Sequence, residues 1–518
     1  MTKQKKKIRF TIVFVLLCVI IVCAILFAPK KTYQKIESLE DLSGKKICIL
    51  TGSIFDSVVK ENIDNPQLYY GNSEPNNAVM LDKGKVSGYV TDEPLARYAQ
   101  NEYPDFRILT KLTQNEYAYI FNKESAKAQM LQQQMNEFLA KRKADGTMEA
   151  IEAVWFGNDE RAQTVDVPKS GVNGMITLGV ASMAGAPFAY VKDGEYVGYD
   201  VDVAAHFCKE YGYGLQIKDY DFTGLLAAVE TNKGVDFAAS CITVTDERKE
   251  KVLFSDANYT GGIVVVVNDK DMSSQVQIFS EFIDEKVNKF FETFVVENRW
   301  KLFCKGFGNT MLITLLAIVF GTLFGFGVFW LSRETGKIFN FFVSLFSELI
   351  KGMPIVVLLM VLYYVVLEKS SLSNIAVAVI GFSLVFGASV LNMLKMSADT
   401  VSYAQTEASL SLGFSRTQTF LKVVLPQALR HFLPSFQSEV VSLIKATAVV
   451  GYLAVQDLTK MSDIVRGRTY EAFFPLIVTA IIYFLIEFLL VSIVKAIRVN
   501  TDPKRRSIDK ILKGVNVK

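Results

Sequence analysis

Six apolar runs punctuate this chain, and few folds can accommodate them, because lipid hydrocarbon admits only elements that satisfy their own backbone polar groups. The first covers residues 8–29 (IRFTIVFVLLCVIIVCAILFAP), and five more lie near 309–331, 352–367, 374–396, 435–455 and 472–495. A helix needs about 20 apolar residues to cross a bilayer, so the pattern predicts six crossings. The first run exceeds the roughly 7–15 apolar residues of a cleaved leader, and no small-residue cleavage site follows it. Residues 1–30 are therefore expected to form an uncleaved anchor. Basic residues favour the cytoplasmic side. The opening MTKQKKK and the closing KRRSIDKILKGVNVK predict that both termini are cytoplasmic, a parity that six crossings satisfy, with residues 30 to about 300 outside the cell. The location expected is the cell (plasma) membrane.

Composition narrows the function. Half of the residues are hydrophobic, and the mean hydropathy is +0.26. The net charge of +3 is too small to suggest a nucleic-acid partner. Six cysteines without CxxC spacing and two histidines, His206 and His431, point to no metal site and no disulfide framework. No grouping of nucleophile, base and orienting residue is recognisable, so an enzyme is not expected and no catalytic residue is assigned.

The external portion, 31–275, is soluble in character. Short β-like runs (KICIL, GIVVVVN) alternate with helical stretches, which predicts an α/β architecture. Residues 276–305, around FSEFIDEKVNKFFETFVVENRWKLF (279–303), read as an amphipathic connecting helix, with Trp300 suited to the membrane interface. In the run near 309–331, GTLFGFG offers small residues for close helix packing.

Between two apolar runs lies a polar, glycine-broken stretch, EASLSLGFSRTQTFLKVVLP (407–426). With Glu407, Ala408 and Ser409 followed at fixed spacing by Gly413, Val423, Leu425 and Pro426, it resembles the EAA loop of ABC importer permeases. Gln405, PQALRHFLP (426–434) and KGMP (351–354) resemble the polar amino acid permeases in particular. The resemblance covers about 300–500 and implies a type I importer fold, a permease domain over 306–498 with five transmembrane helices and the EAA loop at 405–426. It also implies that this loop docks into an ATP-binding subunit, with Glu407, Ala408, Gly413, Leu425 and Pro426 as coupling residues. No GxxxxGK[ST] loop is present: Gly44-Lys45, Gly84-Lys85 and Gly336-Lys337 all lack the following Ser or Thr. ATP-Mg is thus assigned to two copies of a partner ATPase, and no cofactor to this chain. The pore is expected to be a homodimer or a pair with a homologous permease. Asn392, Lys395 and KATAV (445–449) depart from the family pattern and leave the translocation path unassigned.

Residues 176–268, with GAPFAYVKDGEYVGYDVDVAAHF and YDFTGLLAAVETNKGVDFAASCITVTDERKEKVLFSDANYTGG, resemble the first part of a periplasmic-type amino acid-binding protein. Residues 38–157, from SLEDLSGKKICILTGS to ADGTMEAIEAVWFG, resemble its later part. The resemblance implies one circularly permuted two-lobed domain, with 158–174 joining the old termini. One lobe is placed at 38–116, the other at 123–261, with crossovers at 117–122 and 262–268. It further implies that Arg248 holds a ligand α-carboxylate with help from Thr243, and that Asp92 pairs with the α-ammonium. Phe222 would pack on the ligand, Ser240 and Cys241 would border it, and Gly52 and Ser53 would offer backbone donors from the opposite lobe. Ser182, Gly185 and Leu50 stand where the family often has an acid, a second aromatic and a lysine, so the headgroup grip is kept while the side-chain pocket differs.

The function expected is the membrane subunit of an ATP-driven importer of an extracellular polar amino acid, with a glutamine-like ligand as one candidate. The alternative is a ligand-gated channel or sensory receptor with the same ectodomain, but that reading gives the EAA loop no use. The basic tail is placed at 499–518.

Overall fold

The computed structural model describes residues 35–157, 163–269, 279–367, 370, 372–471 and 473–501. The expected anchor (1–30) and most of the tail (499–518) lie outside them.

Two α/β lobes come first. The strands of the first part are β1 (Lys46–Leu50), β2 (Gln67–Gly71), β3 (Gly88–Asp92), β4 (Phe106–Tyr117) and β5 (Ile120–Asn122). There follow β6 (Met175–Val180), the hairpin β7 (Tyr190–Lys192) and β8 (Glu195–Val197), β9 (Gly214–Asp219), β10 (Phe237–Ala238), β11 (Val252–Phe254) and β12 (Tyr259–Asn268). One sheet has the order β2-β1-β3-β12-β4 and the other β11-β5-β10-β6-β9. The chain therefore crosses between lobes twice, from β4 to β5 and from β11 to β12.

The sequence reading treats 262–268 as a crossover strand and extends the second lobe to 261. In the structure the strand begins at Tyr259 and sits inside the first sheet, antiparallel to both β3 (Ile263↔Asp92) and β4 (Tyr259↔Tyr117). Its run GIVVVV is buried throughout, as expected of a strand covered on both faces. Likewise β5 is no linker but pairs with β10 and β11 in the second sheet. The helix ending at Trp155 and strand β6 share one hydrophobic core, with Trp155, Ile176 and Leu178 all buried. The segment between them consequently needs only to close a loop on one lobe, a connection loop-closure entropy makes cheap.

Three short helices position the cleft: α1 (Glu74–Asp82), α2 (Phe222–Glu230) and α3 (Asp246–Lys251). The connecting helix α4 (Phe279–Phe294) is shorter than the 276–305 expected. Glu297 and Asn298 take left-handed φ of 55° and 52°, which breaks the helix before α5 (Trp300–Glu334) begins. Glu297 is held there by Arg299 at 3.0 Å and by Arg468 at 2.8 Å.

The membrane portion continues through α6 (Lys337–Gly352), α7 (Ile355–Val361), α8 (Asn374–Asp399), α9 (Tyr403–Ser411), α10 (Leu425–Ala446), α11 (Leu458–Thr469) and α12 (Phe473–Thr501). By length and apolarity, three helical stretches among the described residues are able to cross a bilayer: Val296–Arg333, Asn374–Asp399 and Phe473–Ile497. Two bent pairs complete the set, Lys337–Gly352 with Ile355–Val366 at 110° and Arg416–Leu453 with Leu458–Thr469 at 56°. The expected span at 352–367 is thus one arm of a bent pair. Its helix is about 18 Å long at 1.5 Å per residue, too short to cross alone a hydrocarbon core of about 30 Å. The bend falls at Gly352–Pro354, where proline lacks the N–H a continuing helix would need. Large apolar side chains such as Leu323, Phe484 and Phe488 are about two-thirds exposed, the surface a helix presents to lipid.

Helices α5 and α8 meet through glycines. A Cβ built on Gly325 would lie 2.5 Å from the Gly387 carbonyl and 2.8 Å from Val390, and one on Gly387 would lie 2.6 Å from Phe324. The small residues of GTLFGFG therefore permit backbone approach. Gly327, two residues on, faces open space. Gly325→Val should destabilise the detergent-solubilised protein by about 1–3 kcal/mol in a thermal melt, whereas Gly327→Val should leave the melting temperature near wild type.

Candidate functional site

The residues expected to grip a ligand gather around one small cavity between the lobes, lined by Ser53, Asp92, Phe222, Ser240, Cys241, Thr243 and Arg248. Local structure explains the convergence. Thr245 caps α3 by accepting the Arg248 N–H at 3.2 Å, which fixes the arginine one turn from Thr243. Its guanidinium donates to the Thr243 carbonyl at 3.0 Å and, across the cleft, to the Gly52 carbonyl at 3.2 Å, while lying 5.7 Å from the Phe222 ring centroid.

Gly52 does not line the cavity but closes it. Its φ is +80°, and a Cβ there would come within 2.7 Å of Thr223 in the other lobe, so only glycine lets the lobes meet. Gly185 plays the same part on the far side. Its φ is +124°, and a Cβ would sit 2.9 Å from Leu95. Next to it the Glu74 N–H donates to the Met183 carbonyl at 3.2 Å. The cleft is closed along both rims.

Asp92 ends β3 and is buried. Tyr117 donates to one carboxylate oxygen, and the Cys241 thiol to the other at 3.2 Å. Burial pushes its carboxyl up to about 6, against these hydrogen bonds and the Arg248 charge, which pull it down. Ser240 and Cys241 both have positive φ, 146° and 53°, and each is pinned. The Ser240 hydroxyl accepts from Ala181 N at 2.8 Å, and Cys241 N donates to buried Asp200 at 3.1 Å. The Ser240 hydroxyl is therefore committed to the loop and turned to structure. Ser53 similarly donates to the Leu50 carbonyl at 2.6 Å.

Two features were not legible in the sequence. Glu74 lines the cavity and is 3% exposed; burial pushes its carboxyl up to about 8. It sits at the first position of α1 behind a Ser73 cap, a place where acids are common on any helix, so nothing local marks it out. Ser182 faces away from the ligand cavity. It donates to Asp219 at 2.6 Å, and Asp219 in turn meets Lys460 of helix α11 at 3.6 Å.

Helix α11 lies across the closed cleft and touches both lobes. Toward the second lobe, Lys460 is buried with Asp219 and bonds Asp221 at 3.2 Å and the Tyr220 carbonyl at 3.3 Å. Toward the first, Arg466 bonds Asn76 of α1, and Tyr470 is buried among Cys48, Tyr89 and Phe106 while its carbonyl accepts from Tyr103 at 2.9 Å. Arg468 joins three parts: it bonds Glu297 after the connecting helix and Tyr98 of the first lobe, and lies 5.6 Å from the Tyr190 ring of the second. The second lobe also donates Lys233 to the Leu367 carbonyl beyond α7.

At the other end of α5 stands the EAA segment. Helix α9 ends at Ser411, and Gly413 just beyond it has a φ of +84°. A capping box at Ser415 and Gln418 restarts the chain, which turns through Phe420–Val424 into α10, with Pro426 in its first turn. This is the helix, glycine bend and second helix expected. Glu407 is the fifth residue of α9, past the first turn, so the dipole contributes little to it. Glu407, Ala408, Gly413 and Pro426 are exposed and Leu425 is half-buried; Leu412 is 79% exposed. Phe329 and Arg333 of α5 pack on Phe420, at 5.7 Å and 3.8 Å, while Gly306 near its other end contacts α11. From Gly306 to Phe329 the helix rises about 35 Å.

Among the described residues no group of three or more His, Cys, Asp or Glu is placed to hold a metal ion. The ionisation of Asp92 sets a pH dependence. A ligand ammonium needs the carboxylate, and burial makes the free site take up a proton below about 6. Affinity for an amino acid with an uncharged side chain should be level near pH 7 and fall by about tenfold per pH unit below 6, measured by calorimetry; Asp92→Asn should flatten that slope and weaken binding throughout.

Residues 176–472 match the model of the bacterial extracellular solute-binding proteins, family 3. A probable amino-acid ABC transporter permease protein of Bacillus subtilis (strain 168) is 31% identical over 186 residues, 35% of this chain and 81% of that protein. A putative glutamine transport system permease protein of Rickettsia felis is 27% identical over 192 residues, 36% of this chain and 87% of that protein. Among solved structures, an amino acid ABC transporter crystallised with histidines is 24% identical, covers 43% of this chain and 99% of its own, and superposes with a TM-score of 0.36. With its two-lobed domain and EAA-bearing helices in one polypeptide, the chain belongs to the bacterial extracellular solute-binding proteins, family 3, and its membrane portion to the amino-acid ABC transporter permeases.

Proposed function

We propose that this chain is the membrane subunit of an ATP-driven importer that captures an amino acid outside the cell and passes it inward. The observation that carries the reading is the placement of α11. One helix of the membrane portion holds both lobes of the closed cleft, and α5 runs from that helix to the EAA segment over about 35 Å, the scale of a bilayer core of about 30 Å. Capture and energy coupling thus stand at opposite ends of one rigid element.

Arg248 presents a planar fork suited to an α-carboxylate, and Asp92 a carboxylate suited to the α-ammonium. Thr243, Cys241, Ser240, Phe222, Gly52 and Ser53 shape the space between them. Closing on the ligand brings Asp219, Asn76 and Tyr98 into the arrangement that α11 binds. A separate ATP-binding subunit, in two copies, would take up Glu407 and Ala408 and the exposed apolar Leu412 beside Gly413. Two copies of this chain, or one with a homologous permease, would form the pore, with both termini cytoplasmic. Fusion of the binding domain to the permease raises the effective concentration of each for the other.

The test is uptake into proteoliposomes holding the full chain and its co-expressed ATP-binding subunit, with radiolabelled amino acids. Uptake should require ATP and be lost in Arg248→Ala. Lys460→Met leaves Asp219 and Asp221 without their cation. A broken buried pair costs about 3–5 kcal/mol, so uptake should fall at least tenfold, and ligand affinity should fall with it because docking and closure are linked. Unchanged uptake in Lys460→Met would show that α11 does not couple the two.

A further inference from the structure

The cavity contains one carboxyl for which the headgroup grip has no use. Arg248 and Asp92 supply one positive and one negative group, enough for a zwitterionic headgroup. Glu74 is a second acid on the same cavity, 3% exposed, and its Oε1 is buried with no hydrogen-bond partner among the described residues. Thr91 acts on the carboxyl through a hydrogen bond, and Asp92, Cys48, Tyr89, Cys241 and Tyr470 bear on it electrostatically; none of these is a cation. A buried carboxyl oxygen left without a partner is costly. Such a cost is tolerated where a ligand supplies the missing partner.

The walls beside it fix what that partner is attached to. Leu50, Ile54, Phe55, Leu95 and Ala184 complete the lining, an apolar surface that suits an aliphatic stem. Gly185 and Ser182, the positions at which an aromatic and an acid were expected, contribute a lobe contact and a bond to Asp219 instead. Polar recognition of the ligand side chain accordingly falls to Glu74.

We propose that Glu74 is the specificity residue of this site, and that the substrate is an amino acid whose short aliphatic side chain ends in an N–H donor, which the Glu74 carboxyl accepts. This rests on the amino acid reading above. A terminal ammonium and a terminal carboxamide share this chemistry, and they make different demands on the proton. An ammonium needs the ionised carboxylate. A carboxamide N–H is satisfied by the carbonyl oxygen of the protonated acid, the form that burial favours below about pH 8.

The experiment is calorimetric titration of the full chain in detergent with ornithine, glutamine, glutamate and norvaline, for wild type, Glu74→Gln, Glu74→Leu and Arg248→Ala. Ornithine or glutamine should bind about 10- to 100-fold tighter than norvaline, and Glu74→Leu should erase that preference while norvaline binding holds. If glutamine is preferred, Glu74→Gln should keep its affinity. If ornithine is preferred, Glu74→Gln should lose it, and binding at pH 7 should release a proton, read from titrations in buffers of different ionisation heat. Glu74→Gln changes one atom and controls for folding. Norvaline or glutamate binding as tightly as the N–H-ended ligands, or a preference unchanged in Glu74→Leu, overturns the proposal and leaves the amino acid reading intact. Binding of no amino acid by wild type overturns that reading itself, and this proposal with it.

Discussion

Lys460 buried between Asp219 and Asp221 is the constraint that holds the binding domain and the membrane helices in one arrangement. A lysine ammonium this deep in protein is tolerated only with opposite charge and hydrogen bonds around it. Here the partners come from another domain, at 3.6 Å and 3.2 Å, so the cation is satisfied only when α11 and the second lobe are together. The first lobe meets the same helix through Asn76, Tyr98 and Tyr103. The geometry of the cleft and the position of the membrane helix are thereby made one variable.

The connection is built on short range and rigid parts. Glu74 opens α1, whose next residues, Pro75 and Asn76, lie against Gly467 and Arg466 of α11. Ser182, one residue before Met183, whose carbonyl bonds Glu74, reaches Asp219 and through it Lys460. These two parts of the cavity wall are therefore one or two residues from a contact with the membrane portion. Such proximity leaves little slack through which a change at the cleft could be absorbed before reaching α11.

The fused order of the chain fits this design. Strand β12 is the last piece of the binding domain and lies between β3 and β4 in its first sheet, yet it leads toward the connecting helix. Glu297, just after that helix, is held by Arg468 of α11. The exit of the binding domain and the helix that reads its cleft are thus tied at the same point, where left-handed backbone at Glu297 and Asn298 turns the chain into α5.

Much of this was legible in the sequence because it depends on local or fixed-spacing rules. Apolar run length located α5, α8 and α12. The EAA spacing located the bend at Gly413, and TDER with VTDEP located Arg248 and Asp92, since each motif carries its own turn or cap. What sequence could not decide depends on partners far along the chain. The break at 352–354 is visible as Gly and Pro, but its 110° angle is set by packing. The membership of β12 in the first sheet is decided by pairing with β3 and β4, strands far earlier in the chain (Ile263↔Asp92, Tyr259↔Tyr117). Glu74 and Lys460 look like ordinary helix acids and bases until the fold buries one in the ligand cavity with a carboxyl oxygen unpartnered and the other between two aspartates. Burial and the distance to an opposite charge are tertiary quantities, and they decide whether a charged side chain is mere solvated surface or part of the mechanism.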